Sequence, residues 1–110
     1  MKLTLRERTV LKSILPIDGH YADLVEYRKL KELLDFTAEE VEEFEIQFFQ
    51  EGIKWNAIKS ATYLRDIACT EWVTNKIQSI LGKLEDDGSL LESQLTIYEK
   101  FIKYYNNLEH

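Results

Sequence analysis

The chain has 110 residues, too few for two ordinary domains but enough for one core without disulfide staples, since a chain of this size buries about 65% of its unfolded surface. Apolar residues make up 45% and charged residues 31%, a balance ordinary for a globular protein that does not indicate disorder, and the net charge of −6 works against unspecific attraction to nucleic acid or anionic lipid. No apolar run approaches the roughly 20 residues that span a bilayer, residues 1–16 carry charges inside their apolar pattern and do not read as a signal peptide, and the one cysteine, Cys69, excludes an intramolecular disulfide and fits a reducing cytoplasm.

Thr4-Leu5-Arg6-Glu7 opens the chain as a capping box, and Leu11, Ile14 and Leu15 supply the apolar stripe behind it. Pro16 cannot continue the hydrogen-bond ladder, so the spacing predicts a helix over 5–14. Asp18-Gly19 marks a turn, and Leu24, Tyr27, Leu30, Leu33 and Leu34 predict a second helix over 22–34. Thr37 and Glu40 form another capping box, with Phe36 and Val41 placed as a hydrophobic staple, which predicts a short third helix over 38–43.

The period then changes. Phe44, Ile46 and Phe48 alternate with Glu45 and Gln47, Glu51-Gly52 turns, and Ile53-Lys54-Trp55 returns, so a β-hairpin is expected. Residues 57–68 fit a helical face or a third strand through residues 62–67. The strand is preferred because a lone hairpin is marginal and a third strand supports it. Val73, Ile77, Ile80, Leu81 and Leu84 predict a helix over 71–85 capped by Thr70, ended at Asp86-Asp87-Gly88-Ser89. Leu95, Tyr98, Phe101, Ile102 and Tyr105 predict a last helix over 92–106, antiparallel to it, with Tyr104 off the stripe. Leu108-Glu109-His110 reads as an expression-tag remnant. The expectation is one α+β domain over 1–107: three N-terminal helices, a small antiparallel sheet of two or three strands and two C-terminal antiparallel helices.

Residue chemistry points away from catalysis. His20 with Asp18 and Asp23 is the only metal-like grouping, and a histidine and two carboxylates around a turn read better as a solvated surface. Cys69 follows Ile67 and Ala68 without a neighbouring base and reads as a small buried hydrophobe. Asp86-Asp87-Gly88-Ser89 lacks the alternating ligands of a calcium loop, and no glycine-rich segment cradles a phosphate. No catalytic, cofactor or metal site is assigned, and no enzyme activity is expected.

Between Lys31 and Lys54 there is no basic residue and there are eight acids: Glu32, Asp35, Glu39, Glu40, Glu42, Glu43, Glu45 and Glu51. Three helices and a hairpin match a winged-helix order, yet residues 38–43 would then be the base-reading helix, where glutamates repel phosphate. The leading reading is a non-catalytic protein-interaction or accessory module whose partner surface comprises Glu39, Glu42, Glu43 and Glu45 with Phe49 at the edge, against the plainer reading of a solvated acidic face. The alternative is a regulator of nucleic-acid machinery, binding DNA through Arg6, Arg8 and Lys12 of the first helix or imitating DNA with its acids. The partner, basic in this reading, and the oligomeric state are left open, with a cytoplasmic setting and no membrane.

Five segments in order resemble small phage- and prophage-encoded proteins: Leu3-Thr4-Leu5-Arg6-Glu7-Arg8, Ile14-Leu15-Pro16, Leu34-Asp35-Phe36-Thr37-Ala38-Glu39-Glu40, Lys54-Trp55-Asn56 and Leu95-Thr96-Ile97-Tyr98-Glu99-Lys100-Phe101. These are mostly caps and core positions. The resemblance implies a phage or prophage gene in a host cytoplasm and brings no activity, cofactor or functional residue with it.

The second capping box yields a direct test. Thr37→Ala removes one side-chain acceptor at the helix start and is expected to lower stability by about 1 kcal/mol. Urea unfolding measures it, and an unchanged midpoint would place the helix start elsewhere.

Overall fold

Two threonines set the starts of the first and third helices. In the computed structural model, which describes residues 1–103 and 105, Thr4 Oγ1 accepts the Glu7 amide at 3.0 Å while Glu7 Oε1 accepts the Thr4 amide at 2.9 Å. This box opens α1, Leu5–Ile14, which stops at extended Leu15 before Pro16. Helix α2, Tyr21–Leu34, follows the turn and ends at Asp35. Thr37 and Glu40 repeat the reciprocal box at 3.1 and 2.8 Å and open α3, Ala38–Glu43. Side-chain oxygens thereby satisfy amides that a helix start otherwise leaves unpaired.

Helix α3 ends in a turn that the alternating pattern disguised. Glu45 lies in the left-handed region at φ 55°, and the Ile46 amide donates back to Val41 O at 3.0 Å. That is a Schellman-type stop with glutamate where glycine is usual. Phe44 and Ile46, expected in a strand, therefore belong to the helix stop, and the hairpin comprises only β2, Gln47–Phe49, and β3, Gly52–Lys54, with Phe48 opposite Ile53.

Residues 57–68 are neither a helix nor a third strand of that hairpin. The chain turns through 57–62 and then forms β4, Arg65–Asp66, which pairs antiparallel with β1, Lys2–Leu3. The described residues thus hold two separate two-stranded sheets. The N-terminal strand was missed because a two-residue strand has no period to detect. It takes β4 because Leu3 is fully buried and the Ile67 amide reaches Met1 O at 2.8 Å.

Helix α4, Glu71–Asp86, starts at Thr70, whose hydroxyl accepts the Val73 amide, and it buries Val73, Ile77 and Leu81. Gly88 at φ 68° allows its stop, with Ser89 N donating to Leu84 O at 2.8 Å. Expected as one helix, the last segment is broken: a 3₁₀ turn over Glu92–Gln94, a short α5, Leu95–Tyr98, and a π-helical turn over Glu99–Lys103. The break rotates the apolar phase, so Ile97 and Phe101 are buried while Leu95 is exposed. Both sides of the widened turn are tied down. Gln78 Nε2 donates to Phe101 O at 2.8 Å, and Lys100 Nζ donates to Lys2 O at 2.8 Å. Expectations on Tyr104 and on Leu108-Glu109-His110 fall outside the described residues.

Two apolar clusters result. The larger joins α1, α2, α4 and the last segment through Leu11, Leu30, Leu34, Ile77, Leu81 and Phe101. The smaller, around Leu5, Phe44 and Ile46, packs Phe36, Val41, Trp55 and Tyr63 beneath the hairpin. Arg8 stands at their border with its side chain fully buried, and its Nη1 meets Glu40 Oε2 at 2.7 Å.

Breaking that pair from one side leaves a buried charge. Arg8→Met is expected to cost about 3–5 kcal/mol, and Arg8→Met with Glu40→Met less than the two single losses combined. Urea midpoints of the three variants measure the coupling, and additive losses would show that the two side chains do not depend on each other.

Candidate functional site

Glu40 sits third in its own helix and turns inward. Arg8 donates to it through Nη1 at 2.7 Å and Nη2 at 3.0 Å, the fork geometry of a guanidinium on a carboxylate. Arg8 also donates to Leu34 O and Asp35 O, so α1 grips the end of α2 as well as the start of α3. Tyr63 donates its hydroxyl to Glu40 Oε2, and Arg65 Nη1 lies 3.7 Å from Oε1. The Phe36 ring caps the guanidinium with its centroid 4.9 Å from Cζ. Burial pushes the Glu40 carboxyl up, but the hydrogen bonds from Arg8, Tyr63 and the Thr37 amide outweigh it and hold the pKa at about 2. The Tyr63 phenol is raised by burial and by donating to that carboxylate.

Arg8 is therefore unavailable to a ligand. With Lys12 paired to Asp35, only Arg6 of the three basic residues of α1 considered for DNA is exposed and unpaired among the described residues. Glu40 likewise leaves the acidic run and belongs to the interior.

The remaining acids divide. Glu39, Glu42 and Glu43 recur at helical spacing on the outer face of α3, are exposed, and make no ion pair among the described residues. Glu45 is exposed too, but its Oε2 accepts Asn56 Nδ2 at 2.8 Å and meets Lys59 Nζ at 3.2 Å, and these contacts lower its pKa. It braces the left-handed turn and the residues after β3. Phe49 stands at the hairpin tip, 44% exposed, with Lys54 Nζ 5.4 Å from its ring centre. Phe48, which alternates in phase with the apolar Phe44 and Ile46, is 63% exposed. Its phase is inward, facing Ile53 and the Phe36 ring at 6.4 Å, but no further layer covers it. Phe48 is the surface residue that sequence reasoning missed, because alternation reports which side a residue faces and not whether anything lies there.

A shallow cavity of about 260 Å³ opens beside it, lined by Thr9, Lys12, Phe36, Phe48 and Ile53, with Arg8 and Leu34 behind them. Asp18, His20 and Asp23 do not converge, and no group of three potential metal ligands exists among the described residues. Cys69 is half-buried against the larger core. Asp86 and Asp87 close α4. No helix among the described residues is long and apolar enough to cross a membrane. No family model matches the chain, and neither a curated protein nor a solved structure does.

The Glu40 geometry has a pH signature. Its folded pKa, about 2, lies below the ordinary carboxyl value of 4.5, so the stability it contributes is complete above about 4.5 and is lost as pH falls towards 2. The Glu7 carboxyl is lowered in the same direction: burial opposes the shift, and the Lys100 ammonium at 2.6 Å and the Thr4 amide prevail. Urea midpoints should fall between pH 5 and pH 2 (roughly the window where both carboxyls take up protons), and less steeply in Glu40→Gln. An NMR titration of the Glu40 side-chain carbon centred near 4.5 would reject the strong pairing.

Proposed function

We propose that this protein is a non-catalytic protein-interaction module that meets a basic partner through the outer face of α3 and the adjoining hairpin. The observation that carries this reading is the exposure of both hairpin phenylalanines, Phe48 and Phe49, next in the chain to three glutamates with no internal partner. Exposed aromatics supply contact area at low entropic cost, and unpaired like charges steer an oppositely charged surface towards it. The interior polar groups are engaged: no buried side-chain nitrogen or oxygen among the described residues lacks a hydrogen-bond partner. Arg8, Glu40, Glu7 and Tyr63 are spent on holding the fold, whereas Glu39, Glu42 and Glu43 and both phenylalanines face outward. A cytoplasmic setting and a phage or prophage gene belong to the same proposal and rest on the sequence reading.

Replacing Glu42 and Glu43 by glutamine separates an interface from a solvated face. Stability should stay within about 0.5 kcal/mol of the parent, since the two acids touch no cation. With a partner captured from host cells, association should slow several-fold and lose salt sensitivity, while dissociation changes little. Stopped-flow rates at two ionic strengths measure this, and equal association rates for parent and variant would reject the acidic interface.

A further inference from the structure

At the corner between α1 and α2, away from the hairpin, large apolar side chains also stand in solvent. Ile17 is 88% exposed and Tyr21 81%. With Leu24 and Val25 they line an open groove of about 410 Å³, and its charged members are both cations, Arg28 and Lys31. Arg28 and Lys31 lie three residues apart on α2, and neither makes an ion pair among the described residues. On a chain of net charge −6, an apolar groove carrying two unpaired cations is a local reversal of sign.

The same chain carries the complement. The outer face of α3 presents Glu39, Glu42 and Glu43, also unpaired, and the hairpin that follows α3 in the chain exposes Phe48 and Phe49. One element pair offers cations around an apolar groove, and the successive elements α3 and β2 offer carboxylates and exposed apolar rings. Within one molecule the two sets of charges do not pair: neither Arg28 nor Lys31 makes an ion pair with these carboxylates among the described residues. We propose that the α1–α2 groove is a docking site for a second copy of this chain, which enters it with its α3 face and hairpin. This inference rests on the proposed α3–hairpin interface and names a partner for it. The contact is heterologous, one surface meeting a different one, so it continues from copy to copy into a ring or an open chain. Net negative charge opposes assembly at long range. At physiological ionic strength that repulsion is screened beyond about 8 Å, whereas apposed side chains are closer than this.

Sedimentation velocity of the full chain, up to about 1 mM so that weak association is visible, tests this with two charge-reversed variants. One is Arg28→Glu with Lys31→Glu, and the other is Glu42→Lys with Glu43→Lys. Arg28, Glu42 and Glu43 are exposed and Lys31 is half-buried, and circular dichroism checks that each variant is folded. The parent's average mass should rise with concentration and fall back on adding salt. Each variant alone should remain monomeric, since groove and α3 then carry like charge. Mixing the two variants should restore association, because every contact again pairs opposite signs. The lysine variant also discriminates against mere relief of repulsion, which would make it associate more readily than the parent. That outcome would overturn the proposal, as would a parent that stays monomeric throughout or one whose association survives both reversals. A monomeric parent that still binds a captured basic protein through Glu42 and Glu43 would remove the second copy and leave the interaction-module reading standing.

Discussion

A guanidinium with no exposure to water must find acceptors for its donors, and the arrangement of this protein's N-terminal half follows from how Arg8 finds them. Two come from Glu40 and two from the backbone at the end of α2. Those acceptors lie on one side chain only if α1, the end of α2 and the start of α3 meet at one point. The pair is not a large net source of stability, because desolvating both ions costs nearly what their attraction returns. Its effect is on specificity. Any packing that separates these elements leaves a buried charge unpaired, so competing arrangements are penalised far more than the native one is favoured.

The two capping boxes show the same economy of side chains. Glu7 and Glu40 each occupy the third position of a helix, each accepts the amide of its threonine, and each is also the counter-ion of a cation from elsewhere in the chain. Lys100 reaches Glu7 from the C-terminal segment and Arg8 reaches Glu40 from α1. A local device of helix starts thus becomes a tertiary one. Lys100 additionally holds Lys2 O, which ties the π-helical turn to the N-terminal strand. The widened turn is consistent with demands from two sides, one from Gln78 on α4 and one from β1.

With the deep polar groups engaged inside, the outward chemistry is simple. Acids and two phenylalanines stand at α3 and the hairpin, and cations with two apolar side chains stand at the α1–α2 corner. In the interaction module proposed above, steering charge would surround a limited apolar contact. The hairpin's own weakness fits that role. It has two strands of three residues, and its exposed phenylalanines gain little burial from the fold itself.

The sequence by itself determined what depends on neighbours a few residues apart. Both capping boxes, the stop before Pro16, the limits of α1 and α3 and the stripe of α4 were all legible, because caps and helical periodicity are local interactions. It also located the acidic face of α3. It could not reveal that Glu40 turns inward while Glu39, Glu42 and Glu43 face out, since Glu40's partner is 32 residues away. Nor could it reveal that Arg8 belongs to the core, that Glu45 ends a helix instead of starting a strand, or that β4 pairs with a strand at the opposite end of the chain. The same holds for Phe48, whose inward phase was readable and whose missing cover was not. Burial, register between distant strands and the pairing of charges are set by what else arrives at a position, and only the tertiary structure decides that.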